Sequence, residues 1–117
     1  MTVQSNDLAQ DLRGFTGDLE MYKQPDFLGG MIYTKGVEYF CEKAGAYWFL
    51  DIIGTEIHKQ YDEGFISLDV KDDKGTITVT DGNEEVYYTR KLEYTDAPEG
   101  DWRFFYMNNT LLLPWEY

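Results

Sequence analysis

His58 is the only histidine in the chain. Asp62 follows it by four residues, one helical turn, and would orient its imidazole as a general base. No nucleophile stands beside the pair in sequence. The other reading is a surface imidazole whose charged form a helix C-terminus favours. Cys41 is the only cysteine, so no internal disulfide can form. It falls on an apolar helical stripe, where a thiol reads as core packing and not as an exposed nucleophile. Asp51 sits between Leu50 and Ile52 in a very apolar stretch. If buried it needs a partner, and Arg90 or Arg103 would serve. A partly exposed acid and a functional acid are the remaining readings.

Other acids come in groups. Asp62-Glu63, Asp72-Asp73 and Glu84-Glu85 are adjacent pairs, and Asp96, Glu99 and Asp101 form a looser set. Calcium is the first metal such oxygens suggest. The 72–75 segment is short and contains Lys74, and 81–85 lacks the ligand spacing of an EF-hand loop. One cysteine and one histidine do not make a zinc site. No glycine-rich phosphate loop and no triad pattern occurs. The expectation is therefore no catalytic residue, no metal, no cofactor, and a protein that is not an enzyme.

The elements that position these residues are legible from periodicity. Residues 5–14 read as a short helix with Leu8 and Leu12 on one face. Residues 19–23 and 31–34 read as short extended pieces around Pro25 and Gly29-Gly30. Val37, Phe40, Cys41, Ala44 and Trp48 recur at helical spacing, and Phe49, Leu50, Ile53 and Ile57 continue around a neighbouring face. Gly45 divides them, giving two helices over 35–43 and 46–60, or one bent helix.

After Gly64 the period becomes two. Ile66, Leu68 and Val70 alternate with polar residues, as do Ile77 and Val79. Turns fall at 72–75 and 81–83, further strands at 86–94, 102–107 and 110–113. Short connections imply an antiparallel meander. The expected fold is one α+β domain over residues 1–117. A short N-terminal helix, then two helices or one bent one, pack on four or five antiparallel strands.

In such a meander the turns alternate between two ends of the sheet. Asp72, Asp73, Asp96, Glu99 and Asp101 fall at one end. Asp62, Glu63, Asp81, Glu84 and Glu85 fall at the other. Tyr87 and Tyr88 take opposite faces of one strand, so one of them is exposed. In 102–107 both faces are apolar, since Trp102, Phe104 and Tyr106 oppose Arg103, Phe105 and Met107. That strand is either central or meets a partner on its outer face, as in a homodimer. Cover by the segment 15–31 is the other reading.

Several phrases carry a resemblance: Phe15-Thr16-Gly17, Tyr33-Thr34 with Gly36-Val37 and Tyr39, and Ala44-Gly45-Ala46-Tyr47-Trp48 with Leu50-Asp51. Asp81-Gly82-Asn83, Tyr94-Thr95-Asp96 and Leu113-Pro114 extend it. Together they resemble a family of small uncharacterised proteins, a domain of unknown function, from bacterial, plasmid and phage genomes. The match departs at the loop before the helices and at Glu56-Ile57-His58. The resemblance implies one whole domain in a mobile-element context and supplies no catalytic residue.

The charge balance narrows the partners. With 22 Asp+Glu against 10 Lys+Arg the net charge is −12, in a chain that is 43% hydrophobic. That apolar content separates it from a disordered acidic tail. Direct binding to nucleic acid or to an anionic membrane is disfavoured, and a basic protein surface is favoured. No run approaches a membrane span, and residues 1–12 lack a basic and an apolar signal region, which fits a cytoplasmic setting.

The leading expectation is a small acidic interaction protein. It would be a phage or mobile-element inhibitor that fills the basic groove of a host defence nuclease, anti-CRISPR-like and a nucleic-acid mimic. A small-ligand binder or enzyme with a cleft between helix and sheet is the alternative. A structural accessory of a mobile element is the third.

Overall fold

The computed structural model describes residues 5–15, 21–58, 60–81, 83, 85–95 and 97–116. Helix α1 (Ser5–Leu12) turns Leu8 and Leu12 into the core, and Trp115 Nε1 donates to the Leu12 carbonyl at its C-terminal end. Strand β1 (Met21–Lys23) pairs antiparallel with β2 (Ile32–Thr34) across a short 3₁₀ turn (Asp26–Leu28). Of the expected strand 19–23, Leu19 and Glu20 lie outside the described residues.

Helix α2 (Lys35–Ala44) begins where Thr34 can cap it. The Thr34 hydroxyl accepts from Val37 N–H at 3.3 Å and donates to Glu116 at 2.6 Å. Glu116 also accepts from Leu113 N–H at 2.9 Å, so a carboxylate from the far end of the chain sits at the positive end of the helix. Gly45 ends α2 in the left-handed region (φ 64°) and its N–H returns to the Cys41 carbonyl. Helix α3 (Tyr47–Ile52) follows, so two helices form and not one bent rod. Its continuation is a wider π-turn (Ile53–Ile57) in which His58 N–H reaches the Ile53 carbonyl.

The π-turn has a visible cause. Gln24, almost fully buried, donates its amide to the Leu50 carbonyl at 2.9 Å. Gly54 leaves room for that side chain, since a Cβ there would lie 2.2 Å from Gln24 Oε1 and 2.4 Å from the Leu28 carbonyl.

Strands β3 (Glu63–Lys71), β4 (Lys74–Thr80), β5 (Val86–Leu92), β6 (Gly100–Met107) and β7 (Thr110–Leu112) complete the sheet. Among the described residues it has seven strands in the order β1-β2-β7-β6-β3-β4-β5. This corrects the expected meander of four or five antiparallel strands in two ways. First, β6 pairs with β3 and not with β5. Between β5 and β6 the chain is tied to the end of the β3–β4 hairpin by Thr95 N–H, which donates to the Asp73 carbonyl at 2.8 Å. The Trp102 indole N–H also donates to the Pro98 carbonyl at 2.8 Å. The order β6-β3-β4-β5 is a Greek key. Second, β2 pairs parallel to β7, so the sheet is mixed.

The helices cover one face of the sheet. Ile66, Leu68, Val70, Ile77 and Val79 are buried on it, as the alternation requires. Phe40 meets Trp102 and Phe104 with ring centroids 5.3 and 5.1 Å apart, and Phe49 meets Phe104 at 4.8 Å. Strand β6 is central, which accounts for its buried aromatic face. The segment from Met21 to Thr34 extends the sheet edge and does not lie over β6. Among the described residues no helix is long and apolar enough to cross a membrane.

Candidate functional site

The β3–β4–β5–β6 register gathers the acids as the alternation of turns requires. At one end β3 enters the turn at Lys71, β4 starts at Lys74, β5 ends opposite Gly75 and β6 starts opposite Val70. Asp72 and Asp73, both at positive φ (53° and 63°), form the two-residue hairpin turn there. Glu99 and Asp101 lie at the same end, and Asp96 lies outside the described residues. Lys71 and Lys74 flank the turn as a cross-strand pair, and Arg103 holds Asp101 at 2.7 Å. Acid and base alternate, so this end is not a uniform anionic surface.

Asp101 also faces Asp69 across the β3–β6 pair. Burial, then hydrogen bonding to Asp101 and its charge, raise the Asp69 carboxyl above its ordinary value despite Arg103. Burial also acts to raise Asp101, but hydrogen bonds from Arg103 and Asp69 and the Arg103 charge outweigh it and hold it low.

The other end differs. Asp62 and Glu63 enter β3, Asp81 leaves β4 and Glu85 enters β5; Glu84 lies outside the described residues. Asp81 Oδ1 accepts from Asn83 N–H at 2.7 Å and Glu85 N–H at 3.2 Å, while Asp81 N–H donates to the Glu85 carbonyl at 3.1 Å. That closes the turn the Asp81-Gly82-Asn83 sequence suggests. Among the described residues Asp62, Glu63, Asp81 and Glu85 enter no ion pair. Lys59, the nearest base in sequence, lies outside them.

Tyrosine completes this end. The β4–β5 register slips between Val79, opposite Tyr88, and Thr80, opposite Val86, so Tyr87 is the extra residue of a β-bulge. Bulges re-aim side chains, and this one sets Tyr87 against Tyr61. The two rings lie 4.9 Å apart and 4° from parallel, and Tyr61 OH donates to the Tyr87 carbonyl at 3.2 Å. A cleft of about 410 Å³ opens beside them, lined by Gln60, Tyr61, Asp62, Glu63 and Tyr87. Loss of water around the Tyr87 ring, then the charges of Asp81, Glu85 and Glu63, push its phenol up. Sequence reasoning named Tyr87 and missed Tyr61, because a bulge has no signature in the alternation of residues.

Tyr88 points to the opposite face and donates to Glu56 at 2.8 Å. Arg90 also binds Glu56, at 2.6 Å. Arg90 and Arg103 therefore pair with Glu56 and Asp101, and neither pairs with Asp51 as the sequence suggested. Asp51 is part-exposed, and its carbonyl accepts from Thr55. The His58 Nδ1 lies 2.5 Å from Tyr106 OH, a partner that neither the Asp62-oriented reading nor the surface reading named. Cys41 is buried, and burial, then Glu38 and Asp51, push its thiol far up, so it is a core residue.

Among the described residues no group of three or more His, Cys, Asp or Glu is arranged to hold a metal ion. No curated protein and no solved structure matches the chain. A family model does match, over residues 6–117. The chain belongs to that family, DUF6876, a family of unknown function.

Proposed function

We propose that this is an interaction protein that docks its Tyr61–Tyr87 end on a basic surface of a nucleic-acid-binding protein. The observation that carries this reading is the parallel Tyr61–Tyr87 stack, with Tyr87 exposed and Tyr61 half-buried, among Asp62, Glu63, Asp81 and Glu85. Tyrosine faces attract arginine and lysine, and rigid aromatics anchor interfaces at low entropic cost. The carboxylates steer a basic partner in and discriminate against acidic ones. A basic patch or stripe is the electrostatic footprint of a surface that binds nucleic acid. A phage or mobile-element inhibitor of a defence nuclease is the form this reading takes, given the net charge of −12.

The second reading, a small-ligand binder or enzyme with a cleft between helix and sheet, would have to use the space of about 350 Å³ lined by Trp48, Ile52, Arg90, Leu92 and Tyr94, away from the filled centre of the core. Phe40, Phe49, Trp102 and Phe104 fill the space between α2, α3 and the central strands.

The test is affinity capture from bacterial lysate with wild type, Tyr87→Ala and Glu85→Gln. Wild type retains a basic, nucleic-acid-binding protein whose recovery falls as salt rises. Tyr87→Ala loses it at every salt, and Glu85→Gln weakens capture mainly at low salt. Recovery of nothing by wild type from low to moderate salt overturns the proposal, as does undiminished recovery by Tyr87→Ala.

A further inference from the structure

The face of the sheet away from the helices has a composition unlike the rest of the molecule. Register places Glu63, Phe65, Ser67, Asp69 and Lys71 of β3 on it, with Lys74, Thr76, Thr78 and Thr80 of β4. Asp101, Arg103, Phe105 and Met107 of β6 and Lys91 of β5 share it. Four bases thus face three acids, in a chain whose net charge is −12. At its centre Phe65 is 49% exposed and stacks on Phe105, with ring centroids 4.8 Å apart and planes 15° from parallel. Beside this pair a groove of about 510 Å³ is lined by Phe65, Ser67, Thr80, Arg103 and Pro114.

We infer that this face binds the same face of a second copy, with Phe65 of each chain seated in the groove of the other. Charge selects the occupant. Two copies of a strongly acidic protein repel over most of their surfaces, and this is the broad face where bases offset acids. A basic partner is drawn to the acidic Tyr61–Tyr87 end instead. A two-fold contact needs one patch that holds both a projection and a recess, and Phe65 beside its groove meets that need. Aligned sheet-on-sheet packing supplies the geometry, with inner side chains interdigitating. Glu63 borders both this face and the acidic end, and the opposite salt dependence of the two contacts tells them apart.

Sedimentation equilibrium of wild type, Phe65→Asp and Ser67→Lys tests it, with circular dichroism as the control for folding. Wild type gives twice the chain mass at micromolar concentration. Its dissociation constant falls several-fold as salt rises from about 50 to 500 mM, because screening relieves repulsion between acidic copies. Phe65→Asp and Ser67→Lys are monomers under the same conditions, and Ser67→Lys decides if Phe65→Asp fails to fold. Binding of a basic partner weakens with salt, so the two interactions fail separately. A wild type that stays monomeric to millimolar concentration leaves this face to another protein or to residues 16–20, and overturns the inference. So does a dimer that persists in the folded variants.

Discussion

At the scale of single residues, two glycines separate space from backbone conformation. Gly45 sits at φ 64° with nothing within 4 Å of where a Cβ would be. Gly54 lies in the π-turn without a positive φ but is closed in by Gln24 and by the Leu28 backbone. Gly45→Ala therefore costs about 1 kcal/mol, the penalty of a side chain in the left-handed region. Gly54→Ala costs more, roughly 1–3 kcal/mol or beyond, because a carbonyl cannot swing aside as a flexible side chain can. Urea unfolding of both variants checks the order, and equal costs would refute it. Only one of these roles could be read from the sequence. Gly45 stood out as a break between two apolar stripes, which it is. Gly54 looked like one weak position in a helix, because its contacts with Gln24 and Leu28 come from residues far away in the chain. The same distance effect hid the partners of His58 and Arg90, whereas Arg103 pairs with Asp101 only two residues away. Sequence spacing offered Asp62 to His58, whereas the fold brings Tyr106, 48 residues on.

Among the elements, legibility followed length. Strands β3 and β4 alternate over several residues, and both their existence and their buried face were readable. Strands β1, β2 and β7 have three residues each, enough to read them as extended pieces but too few to fix their place in the sheet. The parallel β2–β7 contact joins segments separated by nearly the whole sheet, so no local turn announces it. The crossing from β5 to β6 was equally silent, because a connection of that length suits a return across the hairpin as well as a hairpin of its own. Yet placing β6 beside β3 sets Asp69 directly opposite Asp101. Like charges opposite one another weaken a sheet by roughly 0.2–1 kcal/mol. The sign follows from the raised Asp69 carboxyl. The folded chain binds that proton more tightly than the unfolded chain, so the contribution is favourable at acid pH and is lost as pH rises through the folded value. Asp69→Asn removes the repulsion while keeping a donor for Asp101. Its melting temperature at pH 7 should exceed that of wild type by one to a few degrees on the scale of a small domain. Its advantage should shrink near pH 3. A variant less stable than wild type at pH 7 would show that the pair is not strained.

For the whole molecule, the imbalance of 22 acids over 10 bases poses a problem that arginine and lysine alone cannot solve. Tyrosine supplies uncharged donors in their place. Tyr39 OH donates to Asp11 at 2.8 Å, Tyr88 OH to Glu56 at 2.8 Å, and Tyr47 OH to Glu38. Each phenol is pushed above its ordinary value of 10.0. The carboxylate bond is the first cause for Tyr39 and Tyr47, and burial followed by Glu56 for Tyr88. Tyr106 is raised by burial and then by Asp62, and Tyr33 by burial and then by Glu38. A phenol held more tightly in the folded chain contributes stability that is complete below about pH 10. That stability is lost as pH rises further, because the unfolded chain releases its protons first. Stability should therefore fall steeply between about pH 10 and pH 12, with tyrosinate absorbance near 295 nm appearing together with unfolding. Lysine neutralisation in the same range makes the chain still more acidic and pulls the same way, so a phenol variant is needed to separate the two. Tyr39→Phe removes one exposed donor and no charge at neutral pH. Its stability should fall less than that of wild type over this interval. Parallel losses in the two proteins would assign the alkaline transition to net charge alone and not to the bonds that tyrosine makes with carboxylates.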